Sequence, residues 1–245
     1  MIALVNKSSQ VANDEVALIA QACAAQLAGA GPRWQKNAEA VIFYADPAQV
    51  PPRTKTITFM DNADQAGVLG WHSEENGVPM GRVFTEPSFA HGSTNAFNGP
   101  YPPSTTASHE VLELWGDPDT QLYAYNYGDG KLYAVELCDS VESDSYLVNV
   151  YDKAGTLHKI PCSNYVLPSF FDATALNAPY DRLGKLTAPF TMTRGGYMIV
   201  LTAGSESQVQ AEPIYGDEYP DWKKELKSEY GRTAQRIQAV VALGS

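Results

Sequence analysis

Between positions 109 and 113 the chain carries one histidine and two glutamates in the pattern His-Glu-x-x-Glu. On a helix, His109 and Glu113 are four residues apart and therefore lie on one face, one turn from each other. An imidazole and a carboxylate at this spacing can both bind one cation. Glu110 projects to the side, where a water molecule on that cation would sit. The pattern predicts a metal site with His109 and Glu113 as ligands and Glu110 as the general base.

The residues around the motif predict the helix that positions it. Thr106 is expected to cap the helix, and Gly116 followed by Pro118 is expected to end it. Its other positions are mostly apolar, which places the polar side chains at the inward-facing end of a packed helix. A loop rich in Gly, Pro, Ser and Asn, residues 85–104, precedes it, and long loops of this kind are typical of functional sites. The alternative is a solvated helix face that binds nothing.

The third ligand has several candidates among the acids that follow the motif. Glu136 and Asp139 stand at the end of a strand-like segment, where a carboxylate needs a partner. Asp119 is a candidate if the chain turns back after the helix. Asp117 would lie about 12 Å from His109 along a straight helix axis, too far to share a metal, so it needs a helix break or serves as a cap. We rank Glu136 first, then Asp139, then Asp119.

From Ser108 onward the chain resembles zincin-type metalloproteases with an HExxE motif. The segment SHEVLELWGDP followed by VELCD is similar to a zincin-like group seen in uncharacterised bacterial and phage-borne proteins, and the plant EXORDIUM-like family has a related arrangement. The order of a strand, a helix, further strands and the motif helix resembles the zincin N-terminal subdomain. The stretch GVLGWHSEENGVPMGRVF, which precedes the motif, resembles the substrate-edge strand of that subdomain.

The resemblance implies roles for individual residues. His109 and Glu113 match the first two metal ligands, and Glu110 matches the general base. Glu136 matches the downstream glutamate of gluzincin-like sites, with Asp139 supporting it. The resemblance leaves open a metzincin-like site, in which Asp119 would be the third ligand.

The implied function is that of a metal-dependent hydrolase, most simply a zinc peptidase acting on a peptide or protein substrate through a metal-bound water. Glutamate in place of a second histidine is a harder ligand, so another divalent cation is an alternative to zinc. The alternative function is a non-catalytic structural or binding protein, for example a phage virion component, that keeps the fold and a structural metal.

Charge and composition exclude several classes of partner. The formal net charge is −11, which repels phosphate backbones, so nucleic acid is not an expected partner. There is no apolar run of about 18 residues and no recognisable signal peptide, so neither a membrane nor secretion is expected. Three widely spaced cysteines favour a reducing cytoplasm, or a virion for a phage-borne protein, and leave a Cys138–Cys162 pair open. The sequence does not indicate an oligomeric state.

The pattern along the chain predicts an α+β fold. We expect a zincin-like subdomain over residues 1–120, with a mixed sheet and the motif helix, and a mostly β part with a terminal helix over residues 121–245. The first part has a predicted helix at 13–28 and predicted strands at 2–5, 39–44, 55–60, 67–72 and 79–84. The second has strand-like runs at 121–126, 131–138, 146–151, 156–160 and 195–204, and an amphipathic helix from Asp221.

Two further histidines carry weaker signals. His72 and His91 flank the motif in sequence and are candidate metal or substrate-loop residues, although a single histidine is more often structural. The chain has no G-x-S-x-G, P-loop or G-x-G-x-x-G motif, so serine hydrolase, nucleotide hydrolase and dinucleotide-binding functions have no support.

Overall fold

The structure is a computed structural model that describes residues 1–64, 68–202 and 205–210. It confirms the α+β class, because it combines a few helices with several sheets, one of them mixed and the others antiparallel. The amphipathic helix predicted from Asp221 lies outside the described residues. Within them, no helix is both long enough and apolar enough to cross a bilayer.

A five-stranded mixed sheet forms the first layer, with the order β2-β1-β3-β5-β4. Neighbouring strands are parallel except at the edge, where β4 pairs antiparallel with β5. The β4–β5 hairpin turns at residues 76 and 77, as its Glu-Asn-Gly sequence predicts. The strands are β1 (Ile2–Asn6), β2 (Val41–Tyr44), β3 (Lys55–Met60), β4 (Gly70–Glu75) and β5 (Val78–Phe84).

Two long helices pack against this sheet and against each other. They are α1 (Asn13–Trp34) and α3 (Pro103–Gly116), and the short α2 (Thr85–Ala90) lies between them in sequence. The predicted loop 85–104 therefore begins with a helical turn. Alternate residues of β3, Ile57 and Phe59, are fully buried, as expected for strands with one face against helices.

Helix α1 is longer than predicted. The sequence places its end at residue 28, before two glycines and a proline, but the helix continues to Trp34 and Gln35 ends it with a left-handed φ of 50°. Ala30 and Gly31 are buried, and a Cβ on Gly31 would lie 2.7 Å from the carbonyl oxygen of Lys36. Tertiary packing of this last turn outweighs the low helix propensity of glycine.

A second group of strands follows α3. Four of these strands form an antiparallel sheet with the order β11-β10-β7-β6. The other two, β8 and β9, lie between β7 and β10 in sequence and form a separate hairpin. These strands are β6 (Tyr123–Asn126), β7 (Lys131–Ala134), β8 (Ser145–Tyr151), β9 (Leu157–Ser163), β10 (Tyr197–Thr202) and β11 (Ser205–Gln210). The predicted strand 131–138 thus ends four residues early, and a 3₁₀ turn at Asp139–Val141 follows.

The larger hydrophobic core joins the sheet, both long helices and the β8–β9 hairpin, and so combines residues before and after position 120. Ser163 at the end of β9 connects them: its N–H donates to Ser108 Oγ (2.7 Å), and its carbonyl oxygen accepts from Gln26 Nε2 (2.8 Å). A smaller core surrounds Phe170 and Phe190. All three cysteines are buried and free, so Cys138 and Cys162 do not form a disulfide.

Candidate metal centre

Helix α3 carries the His-Glu-x-x-Glu motif in its second and third turns and is buried along most of its length. It begins at Pro103, three residues before the predicted cap Thr106, because proline at the first helical position has its φ already set and needs no N–H partner. Its last residue is Gly116, as predicted. The motif therefore lies well inside the helix, where the spacing of its side chains is regular.

Six buried histidine, glutamate and aspartate side chains meet at α3. Three come from the motif, two from the segment after β7, and one from the edge strand β4. None is more than 8% exposed. They are His72, His109, Glu110, Glu113, Glu136 and Asp139.

Glu113 lies at the centre of this cluster and is fully buried. Its Oε1 atom is 3.1 Å from His109 Nε2, and its Oε2 atom is 3.4 Å from His72 Nδ1. The N–H of Cys138 also donates to Oε1, at 3.3 Å. One carboxylate thus contacts two imidazoles through different oxygen atoms.

Further contacts join the other members of the cluster. His109 Nε2 is 3.1 Å from Asp139 Oδ1, and His72 Nδ1 is 3.2 Å from Glu110 Oε2. Glu136 Oε2 is 3.9 Å from His72 Nε2. Among the residues that the structure describes, three groups have ligand atoms within 4.8 Å of one another, and each contains Glu113: with His109 and Cys138, with His72 and Glu110, and with Glu136 and Asp139.

The charges of the cluster favour a cation. Its two imidazoles carry at most +2 when both are protonated, whereas its four carboxylates carry −4 when ionised, which leaves −2. Burial of clustered negative charge is costly, and a divalent cation would reduce that cost. Carboxylate oxygens and imidazole nitrogens are both accepted ligands of zinc and of harder divalent cations. The residues present therefore fit such an ion.

Histidine and cysteine respond to this environment in different ways. Burial lowers the pKa of His109, but the charge of Glu113 and the hydrogen bonds to Asp139 and Glu113 outweigh burial, so the pKa lies well above its usual value. Burial, reinforced by the charge of Glu113, raises the pKa of the Cys138 thiol. Because a thiol binds metal as the thiolate, Cys138 is a poorer candidate ligand than the carboxylates.

Gly70 allows β4 to lie close to α3, and Gly81 leaves room for His72. Positions 70 and 72 lie on the same face of β4, and Gly81 on β5 pairs with His72. A Cβ on Gly81 would lie 3.3 Å from the Cβ of His72 and closer still to Ile57, so the absent side chain leaves room for the imidazole. A Cβ on Gly70 would lie 2.7 Å from Thr106 Cγ2 and 3.0 Å from Glu110 Oε1.

We therefore expect Gly70→Ala to destabilise the protein. The added methyl group would also lie 2.9 Å from the backbone oxygen of Arg82, which cannot move cheaply, so the free energy of unfolding should fall by about 1–3 kcal/mol. Gly29→Ala is the matched control, since nothing lies within 4 Å of its added Cβ on α1 and the change should stabilise by about 0.5–1 kcal/mol. Urea denaturation followed by circular dichroism measures both, and equal stability of Gly70→Ala and wild type would contradict the close approach.

The structure separates the candidates for the third ligand. Glu136 and Asp139 lie in the cluster. Asp117 instead is the C-cap residue of the helix, and its side chain accepts hydrogen bonds from the N–H groups of Gln121 and Leu122, at 3.1 and 2.8 Å. Asp119 is exposed.

The structure also separates the two flanking histidines. His72 joins the cluster, although the sequence marks it only weakly. Its alternation with Gly70 on a strand was the available signal, but the sequence does not show that this face of the strand meets α3. His91 lies at the end of α2, where Nδ1 is 2.6 Å from the carbonyl oxygen of Pro87.

Comparisons of the chain with protein-family models, with curated proteins and with solved structures found no match. The candidate site therefore depends on the geometry of the described residues.

Proposed function

We propose that this protein is a metal-dependent hydrolase of the zinc-peptidase type, with a zincin-like arrangement around α3. The cation would be held by His109 and Glu113 with Glu136 and Asp139. The observation that carries the proposal is the convergence of these buried donors: His109 Nε2 lies 3.1 Å from both Glu113 Oε1 and Asp139 Oδ1. Glu136 belongs to the same group of ligand atoms as Glu113 and Asp139.

A divalent cation at this position would supply Lewis-acid polarisation of a carbonyl group and would make water a stronger nucleophile at neutral pH. Glu110 would accept the proton of the attacking water. The water oxygen would bond to the carbonyl carbon, the carbon–nitrogen bond would break, and Glu110 would return the proton to the leaving amine. Glu110 suits this role because it is adjacent to His109 in the helix but is not among the four donors of the proposed cation.

The edge of the sheet supports a peptide as the substrate. β4 has β5 as its neighbour and ends the sheet order in the described part of the chain. An edge strand presents backbone N–H and C=O groups to which an extended peptide can add as a further strand. This strand also carries His72, so a peptide bound along it would lie close to the cluster. The stretch that resembles the zincin substrate-edge strand includes both β4 and β5.

The test is cleavage of a broad peptide library by protein loaded with one equivalent of Zn²⁺. We expect cleavage that is lost when a chelator removes the metal and restored when Zn²⁺ is added. Asp119→Asn is the matched control: it changes an exposed acid just after the motif helix and should leave cleavage unchanged. Zinc-loaded wild type that cleaves nothing in the library would contradict the peptidase proposal.

The burial of the donors favours a second candidate, a structural metal in a protein without turnover. Glu113 is 0% exposed, Asp139 1% and Glu136 3%, which restricts access of a substrate to the cation. A metal there would tie α3 to the segment after β7 and would stabilise the folded state, because the unfolded chain does not hold these donors together. Zn²⁺ would then raise the Tm of the protein without any peptide cleavage.

A further inference from the structure

Glu113 is placed to bind two cations at once. Its Oε1 atom faces His109 Nε2 at 3.1 Å, and its Oε2 atom faces His72 Nδ1 at 3.4 Å. A carboxylate that directs each oxygen to a different imidazole has the arrangement of a bridging ligand. In two-metal sites the ions lie about 3.5–4 Å apart, a separation that a bridging carboxylate can span.

The second position has its own donors. His72 and Glu110 are not among the four donors of the proposed first cation, and both are at least nine-tenths buried. His72 Nδ1 lies 3.2 Å from Glu110 Oε2. Metal bonds of about 2.1 Å that meet at a tetrahedral angle place ligand atoms about 3.4 Å apart. The contacts of His72 with Glu110 and Glu113 are therefore close to those expected around one ion.

The charge and chemistry of the whole cluster agree with two ions. An imidazole that binds a metal ion is neutral, so with both histidines as ligands the four carboxylates, when ionised, carry −4, the charge that two divalent cations balance. Four carboxylates and two histidines also make up the donor set of di-iron and di-manganese carboxylate proteins. In those proteins the donors lie on the four helices of a bundle.

We propose that His72, Glu110 and Glu113 bind a second divalent cation, with Glu113 bridging it to the first. The first cation is the one in the proposed function, so this inference rests on that function. The second cation would engage the carboxylate of Glu110, which could then no longer act as the base. Full occupancy would therefore suppress the hydrolysis that one cation supports.

The stoichiometry of binding tests the second position. Metal-free protein is dialysed against Zn²⁺, and the bound zinc per chain is measured by elemental analysis. We expect two equivalents in wild type and one in His72→Ala. Glu110→Gln, which keeps the shape of the side chain, should also bind one equivalent of zinc. It replaces His72→Ala in the test if that variant does not fold. His158→Ala removes the imidazole of a partly exposed His–Asp pair on the β8–β9 hairpin and should still bind two.

The outcomes separate this inference from the proposed function. One equivalent in both wild type and His72→Ala would overturn the second cation and leave the first. No bound zinc in wild type would overturn both. Two equivalents in His72→Ala and in Glu110→Gln would place the second ion elsewhere and overturn this assignment.

A spectroscopic readout of wild type needs no variant. Two Mn²⁺ ions bridged by one carboxylate at about 3.5–4 Å should give an exchange-coupled electron paramagnetic resonance spectrum. Two equivalents of Mn²⁺ that give the six-line spectrum of isolated ions would overturn the bridge.

Discussion

Glu110→Gln should lower the rate of peptide cleavage by about 10²–10⁴-fold, the usual contribution of general-base catalysis, while one equivalent of Zn²⁺ stays bound. Glutamine has nearly the shape of glutamate and keeps hydrogen-bonding atoms, but it cannot accept the proton of the attacking water. Glu110 is 2% exposed and 3.2 Å from His72, so the replacement keeps a polar group where one is needed. The loss of rate should therefore come from chemistry and not from unfolding.

The measurement is made at one equivalent of Zn²⁺ per chain, so that the first position is filled. Glu86→Gln makes the same chemical change at an exposed position on α2 and should keep the wild-type rate. Circular dichroism and zinc content check that both variants are folded and loaded. Equal rates in Glu110→Gln and wild type would mean that another residue is the base or that the activity belongs to a contaminant.

His109→Ala combined with Glu113→Ala should abolish metal binding altogether. Glu113 belongs to every group of suitable donors in the described part of the chain, and His109 contacts both Glu113 and Asp139 at 3.1 Å. Without them, neither the proposed first position nor the second keeps a complete set of ligands. No zinc should remain after dialysis and elemental analysis.

The matched control is the double change of His158 and Asp152 to alanine. That pair also joins an imidazole and a carboxylate at 3.1 Å, but it is partly exposed and lies in the β8–β9 hairpin, away from α3 in sequence. Its loss should leave zinc content unchanged. Full zinc content in the His109/Glu113 variant would show that the metal binds elsewhere and would contradict the assignment of the site.

Sequence patterns that concern a single helix, strand or turn predict the parts of the site that lie within one element. The i, i+4 relation of His109 and Glu113 follows from helical periodicity alone, and the structure has their side chains in contact. The turn between β4 and β5 follows from the positive φ angles that Asn76 and Gly77 adopt, 53° and 73°. The α+β class followed in the same way from alternating and helical apolar patterns.

The same patterns do not predict features that depend on packing between elements. Helix α1 runs past the residues that were predicted to end it, because Ala30 and Gly31 are buried in the last turns. β7 ends at Ala134, so Glu136 and Asp139 reach the cluster from a loop and a 3₁₀ turn and not from a strand. Apolar patterns predict that such segments are buried but do not predict which neighbour buries them.

The sequence by itself determined that a histidine and two glutamates share one buried helix and that acids downstream are candidates to join them. Only the tertiary structure decided which acids do so and added His72, which is 38 residues from Glu110 in sequence. That contact depends on the antiparallel register of β4 and β5 and on the space left by Gly70 and Gly81. Register and close approach are properties of paired elements, so the spacing of residues within one segment cannot specify them.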